Sequence, residues 1–452
     1  MVWEKARVGS AAGLASLVLG AALAFGCSSE EEPTYYEDVA PLLGQNCTGC
    51  HRTGGIAPFA LTDYESARSR AGMIADATRA RQMPPMPVNN DGDCNKYSNA
   101  RWLSEREIET FERWADAGAP EGDSSARQKP AHVEPELENP DAVISLAEAY
   151  TPASPTHHHD DYRCFIVPAP VDTDQFLTSF QVYPGDARVV HHVIVYQPAS
   201  EEAAAEAHAL DDAEEGQGYT CFGSSLIDAS PFALWAPGVG RMDMPAGTGV
   251  PLAAGRELVI QIHYNLENGT FPDLTSVGLK FATEPVVPGF YWAVANTEMM
   301  LAPGRERVES SLTETYPEPV TFKVHGALPH MHTLGRTLHV DAEASGETRC
   351  LVDVDRWDFH WQNAWWYEEP LDLEDVRSLS IRCGFDTTSR SETVTWGDST
   401  SDEMCISYFY VTFQDAPTPE ISCTNPENPL FGSCFETLLD GCYEPDVAGT
   451  CS

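Results

Sequence analysis

The feature that most constrains the fold is a long series of short, β-branched or aromatic runs that begins near Val143. Runs such as FLTSFQVYP, VVHHVIVYQ, ELVIQIHYNL and MCISYFYVTF are separated by Pro-Gly, Asn-Gly and Ala-Pro-Gly turns. Short strands at this spacing are typical of β-sandwiches. The series is long enough for two domains of ordinary size. We therefore expect two all-β, jelly-roll-like sandwiches, over residues 140–300 and 301–415.

The sequence before this β region has helical periodicity instead. The segment YYEDVAPLLGQ repeats its apolar residues at helical spacing, and Ser104 with Glu107 forms a capping box ahead of a second helix. We expect a small all-α domain over residues 33–121, with Met73 in its core. Residues 122–139 have no periodicity and are expected to be a linker, which as a flexible chain would span about 25 Å.

The N-terminus has the features of an export signal. Lys5 and Arg7 precede an apolar run that ends at Cys27, and such a run is too short for a membrane-spanning helix. We expect residues 1–26 to be a lipoprotein signal peptide and Cys27 to carry the lipid, with simple secretion as the alternative. The protein would then be exported and anchored to a bacterial membrane, facing the periplasm or the cell surface.

Charge and cysteine content narrow the possible functions. The chain has 27 Lys and Arg against 69 Asp and Glu, a formal charge of -42, so it would repel nucleic acid. Of its 13 cysteines, ten remain after Cys27 and the pair at Cys47 and Cys50 are set aside. An even number in an exported protein predicts disulfides. The tail, residues 416–452, is expected to be a small disulfide-tied appendage.

The segment NCTGCH contains a candidate haem site. In the C-x-x-C-H motif Cys47 and Cys50 would bind the haem vinyl groups covalently and His51 would be an axial iron ligand. A zinc site or a disulfide is the alternative interpretation of such a pair. The segment RQMPPMPV offers Met83 or Met86 as the second axial ligand, and Met83 resembles the Met-Pro element of class I c-type cytochromes. We expect one haem c and a role in electron transfer.

The β region carries several candidate metal ligands in three histidine motifs and one later strand: His191, His192, His263, His330, His332 and Met404. Side chains two apart on a strand share a face, so His330 and His332 can bind one ion together. A thioether beside imidazoles favours copper. The adjacent residues His191 and His192 would point to opposite faces unless the strand begins or bulges there.

The other histidines are weaker candidates. His325 lies close to the H-x-H motif but is out of phase with its face, and His157 to His159 are expected in a solvated loop. His208, His339 and His360 are expected to be structural.

The order of these motifs resembles that of the copper type II, ascorbate-dependent monooxygenases, which include peptidylglycine α-hydroxylating monooxygenase and dopamine β-monooxygenase. HH, Q-x-H-Y, H-x-H-x-L-G-R and D-E-M-C follow one another in residues 140–415. The resemblance implies one copper ion in each sandwich, with a solvent-filled cleft between them. It assigns an electron-transfer copper to His191, His192 and His263. It assigns the copper at which dioxygen is activated to His330, His332 and Met404.

The resemblance also implies disulfides and a substrate side. It pairs Cys164 with Cys221 and Cys383 with Cys405, and it places Tyr408 beside the substrate. Peptide-amidating members have an Arg and an Asn where this chain has two apolar residues, Leu328 and Ile406. A peptide carboxylate is therefore disfavoured, and a small or hydrophobic organic substrate is expected.

The expected activity is copper-dependent insertion of one oxygen atom of O2 into a C–H bond. Electrons would come from the haem to the site of His191, His192 and His263, or from ascorbate or an external redox protein. Two other functions are compatible with the sequence. One is an exported haem and copper electron-transfer lipoprotein without hydroxylase activity, and the other is a copper-binding surface protein that acts in adhesion.

Overall fold

The computed structural model describes residues 32–53, 57–125, 136–153, 160–222, 224–236, 239–266, 269–359, 361–397 and 401–413. The expected signal peptide, Cys27, the loop of His157 to His159, His360 and the tail of residues 416–452 lie outside the described residues. Among the helices of the described part, none is long and apolar enough to cross a membrane.

The N-terminal part is a small helical unit. It begins with a π-helical turn, Tyr35–Val39, and continues with α1 (Ala40–Asn46), α2 (Tyr64–Arg68), α3 (Ala71–Arg79) and α4 (Glu105–Asp116). The expected capping box of Ser104 and Glu107 is present and starts α4. The core of the unit includes Leu43, Phe111 and Trp114.

The prediction that Met73 lies in the core of the helical unit is wrong, because Met73 is 58% exposed. The buried face of α3 is formed by residues at helical spacing: Ala71, Ile74, Ala75 and Thr78. Met73 lies outside that stripe, so the helix turns it towards solvent.

The first β unit, here the N-terminal sandwich, has ten strands and one helix. They are β1 (Ala142–Ser145), β2 (Asp160–Val167), β3 (Gln175–Tyr183), β4 (Val190–Pro198), α5 (Glu201–Asp212), β5 (Tyr219–Thr220), β6 (Ala229–Trp235), β7 (Met242–Asp243), β8 (Thr248–Leu252), β9 (Leu258–Asn265) and β10 (Ser276–Phe281). One sheet has the order β5-β2-β9-β4-β6, and the other runs β1-β10-β3-β8 with β7 on β3. The apolar faces of both sheets enclose one core.

The second β unit, here the C-terminal sandwich, contains the remaining strands. They are β11 (Val287–Ala295), β12 (Met300–Leu301), β13 (Val308–His330), β14 (Gly335–Ala344), β15 (Glu347–Val354), β16 (Trp365–Phe385), β17 (Val394–Thr395) and β18 (Ile406–Thr412). The order β11-β18-β13-β16-β14-β15 is antiparallel. Register shifts interrupt the pairing of β13 with β16, and such irregularities let long strands bend around a core.

The expectation of two mostly-β units is confirmed, but their sheets are joined. Val287 of β11 pairs in parallel with Thr248 of β8, so a single eleven-stranded sheet passes from one unit to the other. Both disulfides implied by the resemblance are confirmed, Cys164–Cys221 and Cys383–Cys405.

Residues 86–100, here called the strap, leave the helical unit and pack on the C-terminal sandwich. Met86 and Val88 are buried in the core of that sandwich, and Cys94 forms a disulfide with Cys350. The residues expected as one helical domain, 33–121, therefore do not pack as one body. The helical unit is held against the C-terminal sandwich, whereas the sequence suggested that it moves on a flexible linker. The sequence could not reveal this because cysteine connectivity is not readable from spacing.

Candidate metal centre

Three histidines, here called the trio, meet where β4 lies beside β9. His192 is paired with His263 across the two strands, and the register shifts between Val190 and His192. This irregularity allows adjacent histidines to turn the same way, as the sequence required for a shared site. The ligand atoms of His191, His192 and His263 all lie within 4.8 Å of one another. The Nδ1 atom of His192 is 3.4 Å from that of His191 and 3.3 Å from that of His263.

Asp160, at the start of β2, determines which nitrogen of His263 faces the trio. The Nε2 atom of His263 donates to the Asp160 carboxylate at 2.8 Å, and both side chains are buried. The proton is thereby held on Nε2 and the Nδ1 lone pair is left for a metal, an arrangement common in metal sites. Sequence reasoning missed Asp160 because it lies 103 residues from its partner.

Tyr162 covers the other side of the trio. Its ring stacks on His263 at a centroid distance of 4.0 Å and an interplanar angle of 9°. Burial, together with the neighbouring imidazoles, holds the pKa values of His192 and His263 well below the ordinary value. Neutral imidazole is the form that binds a metal ion, so these two rings of the trio are in the metal-binding form at neutral pH.

Two further histidines, here called the pair, lie at the end of β13. The rings of His330 and His332 are 5.2 Å apart between centroids. The Nδ1 atom of His330 donates to Gln362 Oε1 at 2.6 Å, and that of His332 donates to the Asp402 carbonyl at 3.2 Å. The Nε2 atom of each ring is the remaining ligand atom. Burial lowers the pKa of His330 to about 4 and that of His332 to about 3.

Glu403 connects the pair to the neighbouring methionine. Its buried carboxylate accepts from the backbone N–H groups of His332 at 3.0 Å, Leu334 at 2.5 Å and Met404 at 3.3 Å. Burial raises the pKa of Glu403 to about 7, although the three donors oppose the shift. Cys405, the residue after Met404, is fixed by its disulfide with Cys383. Sequence reasoning did not single out Glu403, whose only signal was its position beside Met404.

The trio and the pair lie against each other. The rings of His192 and His330 are 6.3 Å apart between centroids. Phe359 stacks on His191 at 4.7 Å and is 6.0 Å from His332. This is a correction to the solvent-filled cleft that the resemblance implied. The joined sheet brings the two units together, and Phe359, from a loop of the C-terminal sandwich, contacts a histidine of each set.

One cavity borders both sets of histidines. His192, His330, His332 and Met404 line it together with Leu328, Ile406 and Tyr408, the three positions expected on the substrate side. Most of the remaining lining is apolar or aromatic and includes Ile194, Leu234, Trp235, Met242, Ala364 and Trp396. Among the described residues that line this cavity, none is Asp, Glu, Lys or Arg.

The donor atoms fit copper. The trio turns three imidazole nitrogens towards one point, and the pair leaves two Nε2 atoms beside the Met404 thioether in one cavity. Imidazoles bind copper well, and a thioether favours Cu(I) over harder cations.

Comparison with known protein families agrees with this donor set. The family model described as copper type II ascorbate-dependent monooxygenase, N-terminal domain, matches residues 147–270. The model for the C-terminal domain of the same family matches residues 291–431, and together they cover more than half of the chain. The chain belongs to this family. It is a copper monooxygenase family enzyme.

The curated relatives of the chain are distant. It is 24% identical to DBH-like monooxygenase protein 1 of Gallus gallus over 49% of this chain and 38% of that protein. It is 23% identical to tyramine beta-hydroxylase of Caenorhabditis briggsae over 60% of this chain and 48% of that protein. It is 24% identical to peptidylglycine alpha-amidating monooxygenase of Rattus norvegicus over 55% of this chain and 25% of that protein. The chain thus spans less than half the length of each of these relatives.

The candidate haem motif of the chain lies after α1. Cys47 and Cys50 are free thiols, and burial raises the pKa of Cys47 to about 12. The Nδ1 atom of His51 donates to the Phe59 carbonyl at 3.0 Å, which leaves Nε2 as a ligand atom. Met86 is buried in the core of the C-terminal sandwich, so it is not free to act as the second axial ligand.

The remaining described histidines lie outside the two sets. His325 bonds to Thr412, and His208 pairs with Glu257. His339 is held between two carboxylates, Asp341 and Asp353, each at 2.9 Å. Each of these three rings thus has a protein partner, and a structural role for His208 and His339 stays a prediction.

Proposed function

We propose that this monooxygenase hydroxylates a C–H bond of a small, uncharged, hydrophobic organic molecule with O2. The observation that carries the proposal is the apolar cavity, which borders His192 of the trio as well as His330, His332 and Met404. A substrate in this cavity would lie beside the donor atoms at which oxygen is expected to react. The reaction consumes O2, two electrons and two protons, and it yields the alcohol and water.

The metal ligands follow from the donor atoms. The trio would hold one copper ion through its Nδ1 atoms, and the pair with Met404 would hold the other. Copper supplies the one-electron redox chemistry through which O2 is reduced. The chain's own residues hold the imidazoles neutral through burial, fix their orientation through Asp160 and Gln362, and surround the substrate with apolar side chains.

The lining of the cavity supports an uncharged substrate. An amine would need a carboxylate there, and a carboxylate would need Arg or Lys, because a buried charge without a partner is costly. Leu328 and Ile406 offer neither. The Tyr408 hydroxyl is the polar group proposed to orient the substrate.

We further infer that electrons come through a haem c bound by the helical unit, with ascorbate as the alternative reductant. The free thiols of Cys47 and Cys50 and the oriented ring of His51 support covalent attachment and axial ligation. With Met86 buried elsewhere, Met83 is the proposed second ligand. A lipid anchor on Cys27 and export belong to the same proposal.

A substrate panel tests the proposed reaction. The copper-loaded protein is given ascorbate, 18O2 and one of three compounds: ethylbenzene, phenethylamine or hippurate. We expect labelled alcohol from ethylbenzene and much lower kcat/KM for the two charged compounds. Leu328→Arg should reduce turnover of ethylbenzene, whereas Leu328→Met, which keeps an apolar side chain, should retain it. Preferred hydroxylation of hippurate or phenethylamine by the parent protein would contradict the proposal.

The haem is tested separately by its spectrum. Protein produced with c-type cytochrome maturation should give a pyridine haemochrome spectrum of covalent haem, and Cys47→Ser with Cys50→Ser should lose it. With the haem reduced beforehand, its reoxidation by O2 should be fast in copper-loaded protein and slow after copper removal or in Met404→Ala. If the rate of haem reoxidation does not depend on copper, the haem does not reduce the copper sites, and ascorbate or an external donor is the reductant instead.

A further inference from the structure

We propose that the strap, residues 86–100, positions the histidine pair by fixing both ends of one loop of the C-terminal sandwich. This loop, here called the site loop, lies between β15 and β16 and comprises the described residues 355–359 and 361–364. The proposal rests on the ligand role of His330, and it gives the N-terminal part of the chain a function at the metal centre that does not require haem.

The strap holds the start of the site loop. Val88 forms a β-bridge with Val354, the last residue before the loop. The backbone N–H of Asn89 donates to the Asp353 carbonyl at 2.8 Å. Cys94 ties the strap covalently to Cys350 on the same strand.

The strap also holds the end of the site loop. The Asn99 side chain donates through Nδ2 to the Ala364 carbonyl at 2.7 Å and accepts through Oδ1 from the Trp366 N–H at 3.0 Å. The Ser98 N–H donates to the Trp366 carbonyl at 2.8 Å. Tyr97 pairs with Tyr367 one residue further on. The Asn99 side chain thus makes the two backbone hydrogen bonds that a neighbouring strand would otherwise make, at the point where the site loop enters β16.

Between these two anchored ends the site loop touches both sets of histidines. Gln362 accepts from His330 Nδ1 at 2.6 Å. Trp357 donates through Nε1 to the carbonyl of His332 at 3.1 Å, and Phe359 stacks on His191. An outer partner of this kind orients a ligating ring, and its loss lowers metal affinity by roughly 10- to 100-fold. Asn99 bonds to Ala364, and Gln362 lies only two residues before Ala364. The bonds of Asn99 therefore constrain the position of Gln362.

Copper affinity tests the proposal without use of catalytic activity. The background is His192→Ala with His263→Ala, which disables the trio and keeps His191 as the partner of Phe359. Cu(I) affinity is measured by competition with a coloured chelator, and the Cu(II) form is followed by EPR. We expect Gln362→Ala to lower the affinity about 10-fold and Asn99→Ala to lower it several-fold, with the same change in the EPR spectrum. The double variant should be no weaker than Gln362→Ala alone, because both act through one contact.

Two controls separate positioning from general destabilisation. Thr412→Val removes a buried hydrogen bond of the same sandwich, to His325, and should leave copper affinity unchanged. Cys94→Ser with Cys350→Ser frees the strap at another point and should reproduce the EPR change of Asn99→Ala in folded protein. Unchanged affinity and EPR spectrum in Asn99→Ala, or additive losses in the double variant, would overturn the role of the strap. If His330→Ala itself does not alter copper binding, the ligand assignment fails instead.

Discussion

The trio and the pair differ in which imidazole nitrogen the protein holds. In the trio, His263 donates a hydrogen bond to Asp160 through Nε2, and its Nδ1 atom remains as the ligand atom. In the pair, both rings donate through Nδ1, and Nε2 remains as the ligand atom. The trio therefore supplies three nitrogens from two adjacent strands. The pair supplies two, beside a thioether and an apolar cavity. Under the proposed assignment, the apolar cavity beside the pair would give O2 and a substrate access to the copper there, whereas the trio would serve to supply an electron.

The largest expected effect separates the roles of the two sets. His330→Ala should lower product formation by at least about 10²-fold, beyond the loss typical of an outer partner, while copper remains at the trio. His263→Ala should leave copper at the pair, which holds only one of the two electrons, so that one turnover should still be completed when excess ascorbate supplies the second electron. Product per protein and bound copper per protein are measured for both variants. Equal single-turnover yields from the two would show that the sets are interchangeable.

A smaller effect is expected at the carboxylate that orients the trio. Asp160→Asn should lower copper affinity at the trio by roughly 10- to 100-fold and leave the pair unchanged. Asp161→Asn is the matched control, since Asp161 is also buried but accepts from Tyr150 and Ala153. The affinities are measured by chelator competition in variants that retain one set at a time. An equal loss from Asp161→Asn would mean that the effect is one of stability.

The smallest expected effect is on the stability of the metal-free protein. The pKa values of His330 and His332 are lowered to about 4 and 3 from 6.5. As the pH falls from about 6.5 to 4, the unfolded chain binds protons at these rings and the folded protein does not, so the free energy of unfolding decreases. At pH 5, below the ordinary pKa of 6.5 and above both lowered values, a loss on the order of 2 kcal/mol per histidine is expected.

Thermal unfolding at pH 7.5 and pH 5 measures this loss. The double variant His330→Ala, His332→Ala should show a smaller decrease in Tm between the two pH values. His208→Ala is the control, because that side chain is 52% exposed. A decrease equal to that of the parent in the double variant would place the pH dependence elsewhere.

Local pattern and motif order predicted much of this molecule. The capping box of α4, the two β units, the family, two disulfides and the grouping of His191 with His192 all follow from residues close in sequence or from the family resemblance. Asp160, Gln362 and the Cys94–Cys350 bond could not be predicted, because each joins residues far apart in the chain. The closeness of the trio to the pair was also missed, since it depends on how the two sandwiches pack.

The Cys94–Cys350 bond has a kinetic consequence for any electron carried by the helical unit. A carrier on a flexible tether delivers its electron at a rate set by how often the two parts meet, which changes with viscosity and linker length. A carrier held by the strap has a path of constant length. Its electron transfer would be first-order, insensitive to dilution and viscosity, and unaffected by insertions into residues 122–139.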